Sequence, residues 1–141
     1  MEIDKRTRAR ELAMQALHQL DVQGADLLER LPGDFLIEAE SDESVRELAL
    51  DWTRGTWENL RECDELIVSC IIKWQLARLA PVDKSILRLA VYQLRFCPDI
   101  PPKVVLNEAI ELAKKFSTEK SGSFVNGVLD AVLGKLSIQN S

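Results

Sequence analysis

Four cations fall within the first ten residues, Lys5, Arg6, Arg8 and Arg10, against two acids, Glu2 and Asp4. Cations held at the start of a helix can neutralise phosphates, and an arginine guanidinium can also stack on or bridge unpaired bases. The competing reading is a solvated, frayed terminus. If all four bases neutralised phosphates on a single strand, the salt slope would be only about −3, at roughly −0.7 per contact. That is a modest anchor, and it points to help from a partner or from a second basic surface.

The chain of 141 residues has a formal net charge of −5, which on its own discourages a nucleic-acid role. The charge is unevenly spread. Residues 24–70 hold four bases and thirteen acids, whereas 71–141 hold ten bases and six acids. An acidic middle between basic ends can hide an anion-binding surface inside an acidic protein.

Other chemistry is poorly supplied. Cys63, Cys70 and Cys97 have no C-x-x-C spacing, and His18 is the one histidine, so a tetrahedral zinc site lacks ligands. Cys63 and Cys70 share a helix face and read as small buried hydrophobes. No G-x-S-x-G elbow presents a serine, and Gly122 and Gly127 have phosphate-loop spacing but Val128 stands where the lysine belongs. Adjacent acids such as Asp64 and Glu65 are too common to nominate a general acid and base. No catalytic residue, metal or cofactor is expected.

The elements that must position these residues read as helices throughout. Ala9, Leu12, Ala13, Ala16, Leu17 and Leu20 recur at helical spacing, predicting a helix from about Lys5 to Val22 that stops near Gly24. On its wheel Arg6 and Arg10 stand at one rim of the apolar face, with Thr7, Glu11, Gln15 and His18 on the solvent side. Pro32 and Gly33 divide residues 25–40 into two short pieces. Ser44 and Glu47 have capping-box spacing ahead of Val45, Leu48, Ala49 and Trp52, and Gly55 is a place for that helix to bend or end. A further apolar series runs from Leu60 to Trp74. Pro81 suits a helix first turn, Pro98, Pro101 and Pro102 close that helix and prepare the next, and a last helix is predicted from near Gly122. Trp52, Trp57 and Trp74 read as core. With no run of period two, the expected class is all-α, a compact bundle of about seven helices. The longest nearly apolar run, Leu66 to Ile72, is far short of the roughly 20 residues that cross a bilayer, and the charged N-terminus does not read as a signal peptide. A cytoplasmic protein is expected.

Five strings in fixed order carry a resemblance. They are R-A-R-E-L-A-M-Q-A-L (8–17), D-E-L-I (64–67), L-A-R-L-A-P-V-D-K-S-I-L-R-L-A-V-Y (76–92), I-P-P-K-V-V-L-N-E-A-I-E-L-A-K-K-F (100–116) and S-F-V-N-G-V-L-D (123–130). Each is a plain amphipathic helix, but together they strongly resemble the NusB family of transcription antitermination factors. The resemblance implies two packed helical subdomains, here about 1–75 and 76–141. It implies binding of boxA-type RNA together with the ribosomal protein NusE, entry into an RNA polymerase antitermination complex, and no catalysis. Self-association through the N-terminal surface is compatible with it.

The resemblance also weights individual residues. It favours RNA contact for Lys5, Arg6, Arg8 and Arg10, although Thr7 and Glu2 dilute a run that is often richer in arginine in the family. His18 stands where the family often has an aromatic; it either stacks on a base or is an ordinary exposed histidine. Phe124 lies about 95° from the centre of its helix's apolar stripe, so it either seals the core edge or offers a stacking face, with Lys120 and Ser121 as neighbours at the same helix entrance. Asp83 either favours its helix dipole or faces NusE. A helical protein-protein adaptor that does not touch RNA is the alternative reading.

Overall fold

Asp4 starts the first helix. Its Oδ1 accepts from the backbone N–H of Arg6 at 2.8 Å and of Thr7 at 3.4 Å, two donors that an unfinished helix end would leave orphaned. The computed structural model describes residues 4–31, 35–71 and 76–139, and in these it is helical without a strand. Helix α1 spans Lys5–Gln23 and ends at Gly24, whose φ of 100° is the left-handed region that glycine enters without a Cβ penalty. After a short 3-10 turn, Ala25–Glu29, come α2 (Phe35–Ala39) and α3 (Glu43–Glu58). The second half holds α4 (Leu60–Cys70), a 3-10 turn (Leu76–Arg78), α5 (Pro81–Phe96), α6 (Pro102–Phe116) and α7 (Glu119–Gln139). The seven α-helices among the described residues agree with the all-α expectation. No helix in them is long and apolar enough to cross a membrane.

The chain divides into two compact units, Met1–Glu58 and Asn59–Ser141. The break falls well before the boundary expected near residue 75, because α4 packs on α5 and α7. Arg88 of α5 holds α4 with a two-pronged bridge, Nε to Asp64 Oδ1 at 2.8 Å and Nη2 to Asp64 Oδ2 at 2.9 Å. Lys135 of α7 donates to the Ser69 carbonyl in the last turn of α4 at 3.1 Å, satisfying an acceptor that the helix itself leaves open.

In the first unit, Leu12, Ala13, Ala16, Leu17 and Leu20 of α1 are fully buried, together with Leu31, Leu36, Val45 and Ala49. Burial runs unbroken from Ala9 to Met14, so α1 is covered on more than one face. Arg10 and Glu11, expected at the rim and on the solvent side, are therefore both buried. The Ser44 cap is also displaced by two residues: Asp42 Oδ1 accepts from the Ser44 N–H at 2.9 Å and from the Ser44 hydroxyl at 2.7 Å. Gly55 does not end α3, which runs on to Glu58. Trp52 is buried and Trp57 half-buried, while Pro32, Gly33 and Trp74 lie outside the described residues.

In the second unit, Cys63, Ile67, Ile86, Leu87, Val105, Ala113, Val125, Leu129 and Val132 form the core. At about 1.5–3 kcal/mol for each large aliphatic side chain removed from water, this core outweighs any single surface ion pair. Only Ser117 and Thr118 separate α6 from α7, and the two helices come close: a Cβ on Gly122 would lie 3.1 Å from Lys114 Cγ. Helix α7 starts three residues earlier than expected, since Thr118 Oγ1 accepts from the Ser121 N–H at 3.1 Å and caps it.

Candidate nucleic-acid interface

The four N-terminal cations have four different environments. Lys5 is exposed and its Nζ pairs with Asp42 at 3.1 Å; at 72% side-chain exposure this pair exchanges readily with solvent or another anion. Arg6 is exposed, and its guanidinium has no partner among the described residues. Arg8 is fully engaged, with Nε on Glu40 Oε1 at 3.1 Å, Nη1 on Glu11 Oε2 at 3.1 Å and Nη2 on the Ala39 carbonyl at 2.9 Å. Arg10 is buried, its guanidinium 4.9 Å from the centroid of the Trp52 ring. The cluster thus presents two cations outward and uses two to build the unit. Two phosphate contacts in place of four would halve the salt slope to about −1.4.

The acids around this cluster are held in their charged form. Hydrogen bonding by the Asp42 backbone N–H, then by Arg8, lowers the Glu40 carboxyl below its usual range. The Ser44 hydroxyl, followed by Lys5, brings Asp42 down to about 2. His18, expected on the solvent side, is half-buried, and its Nδ1 is a buried atom with no hydrogen-bond partner.

Lys120 and Phe124 are one turn apart on α7, and with Asp83 of α5 they line one groove of about 290 Å³ in the second unit. That volume is near the lower end of ligand clefts, roughly 300 Å³, and suits a single planar group rather than a folded ligand. Lys120 is exposed and Phe124 half-buried, so part of the ring is accessible from the groove. Asp83 is 93% removed from solvent, at 7% exposure. Its Oδ2 accepts from the Ser121 hydroxyl at 2.9 Å, while Oδ1 has no partner. Because the single Ser121 proton goes to Asp83, the neighbouring hydroxyls must donate inward, Thr118 at 3.1 Å and Ser117 at 2.9 Å. This chain of hydroxyls fixes the start of α7, and with it the direction in which Lys120 and Phe124 project.

The groove also includes Arg78, which sequence reasoning missed. Arg78 sits in the 3-10 turn before Pro81, and no apolar periodicity marks that turn. Lys120 and Phe124 are legible as neighbours at one helix entrance; that the helix itself includes Lys120 follows from its start at Glu119. Among the described residues, no group of His, Cys, Asp and Glu could hold a metal ion. The Cys63 thiol is pushed up to about 12 by burial, with Asp64 and Glu62 adding to the shift, which makes it inert as a nucleophile.

The model of the NusB family matches residues 7–134 of this chain. The chain belongs to the NusB family. The transcription antitermination protein NusB of Syntrophus aciditrophicus (strain SB) is 42% identical over 136 residues, covering 96% of this chain and 84% of the relative. That of Anaeromyxobacter dehalogenans (strain 2CP-1 / ATCC BAA-258) is 46% identical over 132 residues, covering 94% and 92%. Among solved structures, the antitermination factors NusB and NusE in complex with double-stranded RNA include a chain that superposes with a TM-score of 0.84 at 28% identity, covering 95% of this chain and 99% of that one. Within the NusB match lie Arg8, Arg10, His18, Asp83, Lys120 and Phe124. Lys5 and Arg6, the two outward-facing cations of α1, precede it.

Proposed function

We propose that this chain is a transcription antitermination factor. In this reading it binds boxA-type single-stranded RNA together with ribosomal protein NusE and joins an RNA polymerase antitermination complex, notably on ribosomal RNA operons. It works in the cytoplasm by assembly rather than by catalysis. The observation that carries the reading is the groove of the second unit, where Phe124 shares the lining with two cations, Lys120 and Arg78, in a chain of this family. An aromatic platform flanked by cations suits unpaired bases and their phosphates. Lys5 and Arg6 add a second, weaker basic surface. Asp83, buried at the base of the groove, belongs to the region proposed to lie near NusE and positions it through Ser121.

Of the four N-terminal cations only Lys5 and Arg6 face outward, so the protein alone should hold RNA weakly. The test is a titration of a boxA-like strand at two salt concentrations, with and without NusE. The expected result is a shallow salt slope for the chain alone and clear tightening with NusE; no gain from NusE, together with indifference to Arg6→Ala and Lys120→Ala, would overturn it. A duplex of the same sequence serves as the competing ligand.

The engagement of Arg8 and Arg10 inside the first unit favours one second reading, a helical adaptor that binds proteins and ignores RNA. It predicts NusE binding in that titration with no RNA dependence.

A further inference from the structure

Between α2 and α3 the first unit carries a groove of about 170 Å³ with Leu36 and Leu50 in its lining, Ile37 at one lip, and Glu43 and Glu47 one turn apart on the α3 wall. Ile37 is 56% exposed, a large apolar surface for a residue in so short a helix. The one cation in the lining does not neutralise the acids. Arg46 turns its guanidinium back onto the carbonyls of Glu40 and Ser41, both at 2.8 Å. Those bonds, with that from Arg8 to the Ala39 carbonyl at 2.9 Å, lock the connection between α2 and α3, so the groove exists before anything enters it. A preformed site avoids the ordering cost of a flexible one.

The charge around this groove selects its occupant. Glu38, Glu43 and Glu47 are all exposed, which repels the phosphates of RNA and of anionic lipid. We propose that the α2–α3 groove docks a short basic amphipathic segment of a partner protein. One aliphatic side chain of that segment rests on the accessible Ile37 and Leu50, above the buried Leu36, while flanking lysines or arginines face Glu43 and Glu47. The volume admits a single anchoring side chain, so the contact is an auxiliary tether and not a whole interface. It uses a face remote in composition from the cationic RNA surface and does not depend on the RNA reading.

The full chain, labelled at backbone amides and Ile, Leu and Val methyls, is titrated by NMR with an amidated synthetic helix carrying a central Leu and lysines three and four residues to either side. A control peptide has glutamates in place of the lysines. The lysine peptide is expected to move Leu36, Ile37 and Leu50, and the glutamate peptide to leave them in place. Glu47→Lys, whose circular dichroism should match the parent because the side chain is exposed, is expected to weaken the complex by about fivefold to tenfold at low salt. Ile37→Asp should abolish it. The proposal is wrong if the lysine peptide shifts residues elsewhere, or binds both variants like the parent. It is also wrong if the groove signals move with protein concentration alone, which would make a second copy of the chain the occupant.

Discussion

The Arg10 guanidinium lies 4.9 Å from the centroid of the Trp52 ring, and both residues are buried. A cation taken from water onto an aromatic face gains about 2 kcal/mol, and its aliphatic stem adds packing. Arg10→Ala is therefore expected to lower the unfolding free energy by about 1–3 kcal/mol in urea melts. Under conditions where the variant is still folded, its affinity for a boxA-like strand should stay within twofold of the parent. A selective loss of RNA affinity would return Arg10 to the binding surface.

Glu40 and Asp42 make the first unit sensitive to acid. Both carboxyls have folded values below the unfolded ones, Asp42 moving from 3.8 to about 2. The unfolded chain then binds more protons as pH falls, so this contribution is complete above about pH 5 and is lost progressively as pH drops through 2. Thermal melts across pH 2–6 should show that loss, and Asp42→Asn should flatten it while lowering stability at neutral pH. Salt should weaken only the Lys5 share, because the Ser44 hydrogen bond is local.

Much of the fold was readable because apolar residues at i, i+3 and i+4 announce a helix whatever its neighbours are. Pro81 and Pro102 likewise announce where helices start, whereas the Asp4 cap of α1 emerges from the structure. What could not be read was coverage. A wheel gives α1 one buried face, yet neighbours cover it on more than one side, and so Arg10 and Glu11 were placed outward. The same limit applies to charge. Counting four cations in ten residues cannot reveal that Glu40, thirty-two positions after Arg8, takes up its guanidinium. Lys120 and Phe124 are legible as neighbours at one helix entrance, but Asp83 joins them only because α5 and α7 pack together.

Ser121 and Asp83 form a buried pair whose two ends are unequal. Removing the hydroxyl leaves a carboxylate with neither oxygen satisfied, which costs about 1–3 kcal/mol or more for a charged group. Asp83→Asn keeps an acceptor for Ser121 and removes the buried charge. Denaturant melts are expected to show Ser121→Ala clearly destabilised and Asp83→Asn near neutral or stabilised. With Asn at 83, Ser121→Ala should cost less than it does in the parent. Equal costs in both backgrounds would mean that the carboxylate charge plays no part.

Cys63 is fully buried with its thiol held at about 12, whereas Cys70 and Cys97 are half-buried. Thiolate, not thiol, attacks a disulfide reagent, so two of the three cysteines are expected to react in the native protein at pH 8. The third should react only at the rate of unfolding. Fast modification of all three would show that the α4–α5 core opens far more often than its packing implies.

Phe124 and Lys120 should fail in different ways. Stacking of one base on an aromatic ring is worth about 1–3 kcal/mol and does not release counterions. Phe124→Leu, which keeps an apolar side chain at the core edge, should weaken a boxA-like strand about tenfold without changing the slope of log K against log salt. Lys120→Ala should weaken it less at physiological salt and reduce the magnitude of the slope by about 0.7. Fluorescence anisotropy at four salt concentrations measures both quantities at once. A parallel drop with an unchanged slope in both variants would mean that Lys120 supports the helix end and does not touch phosphate.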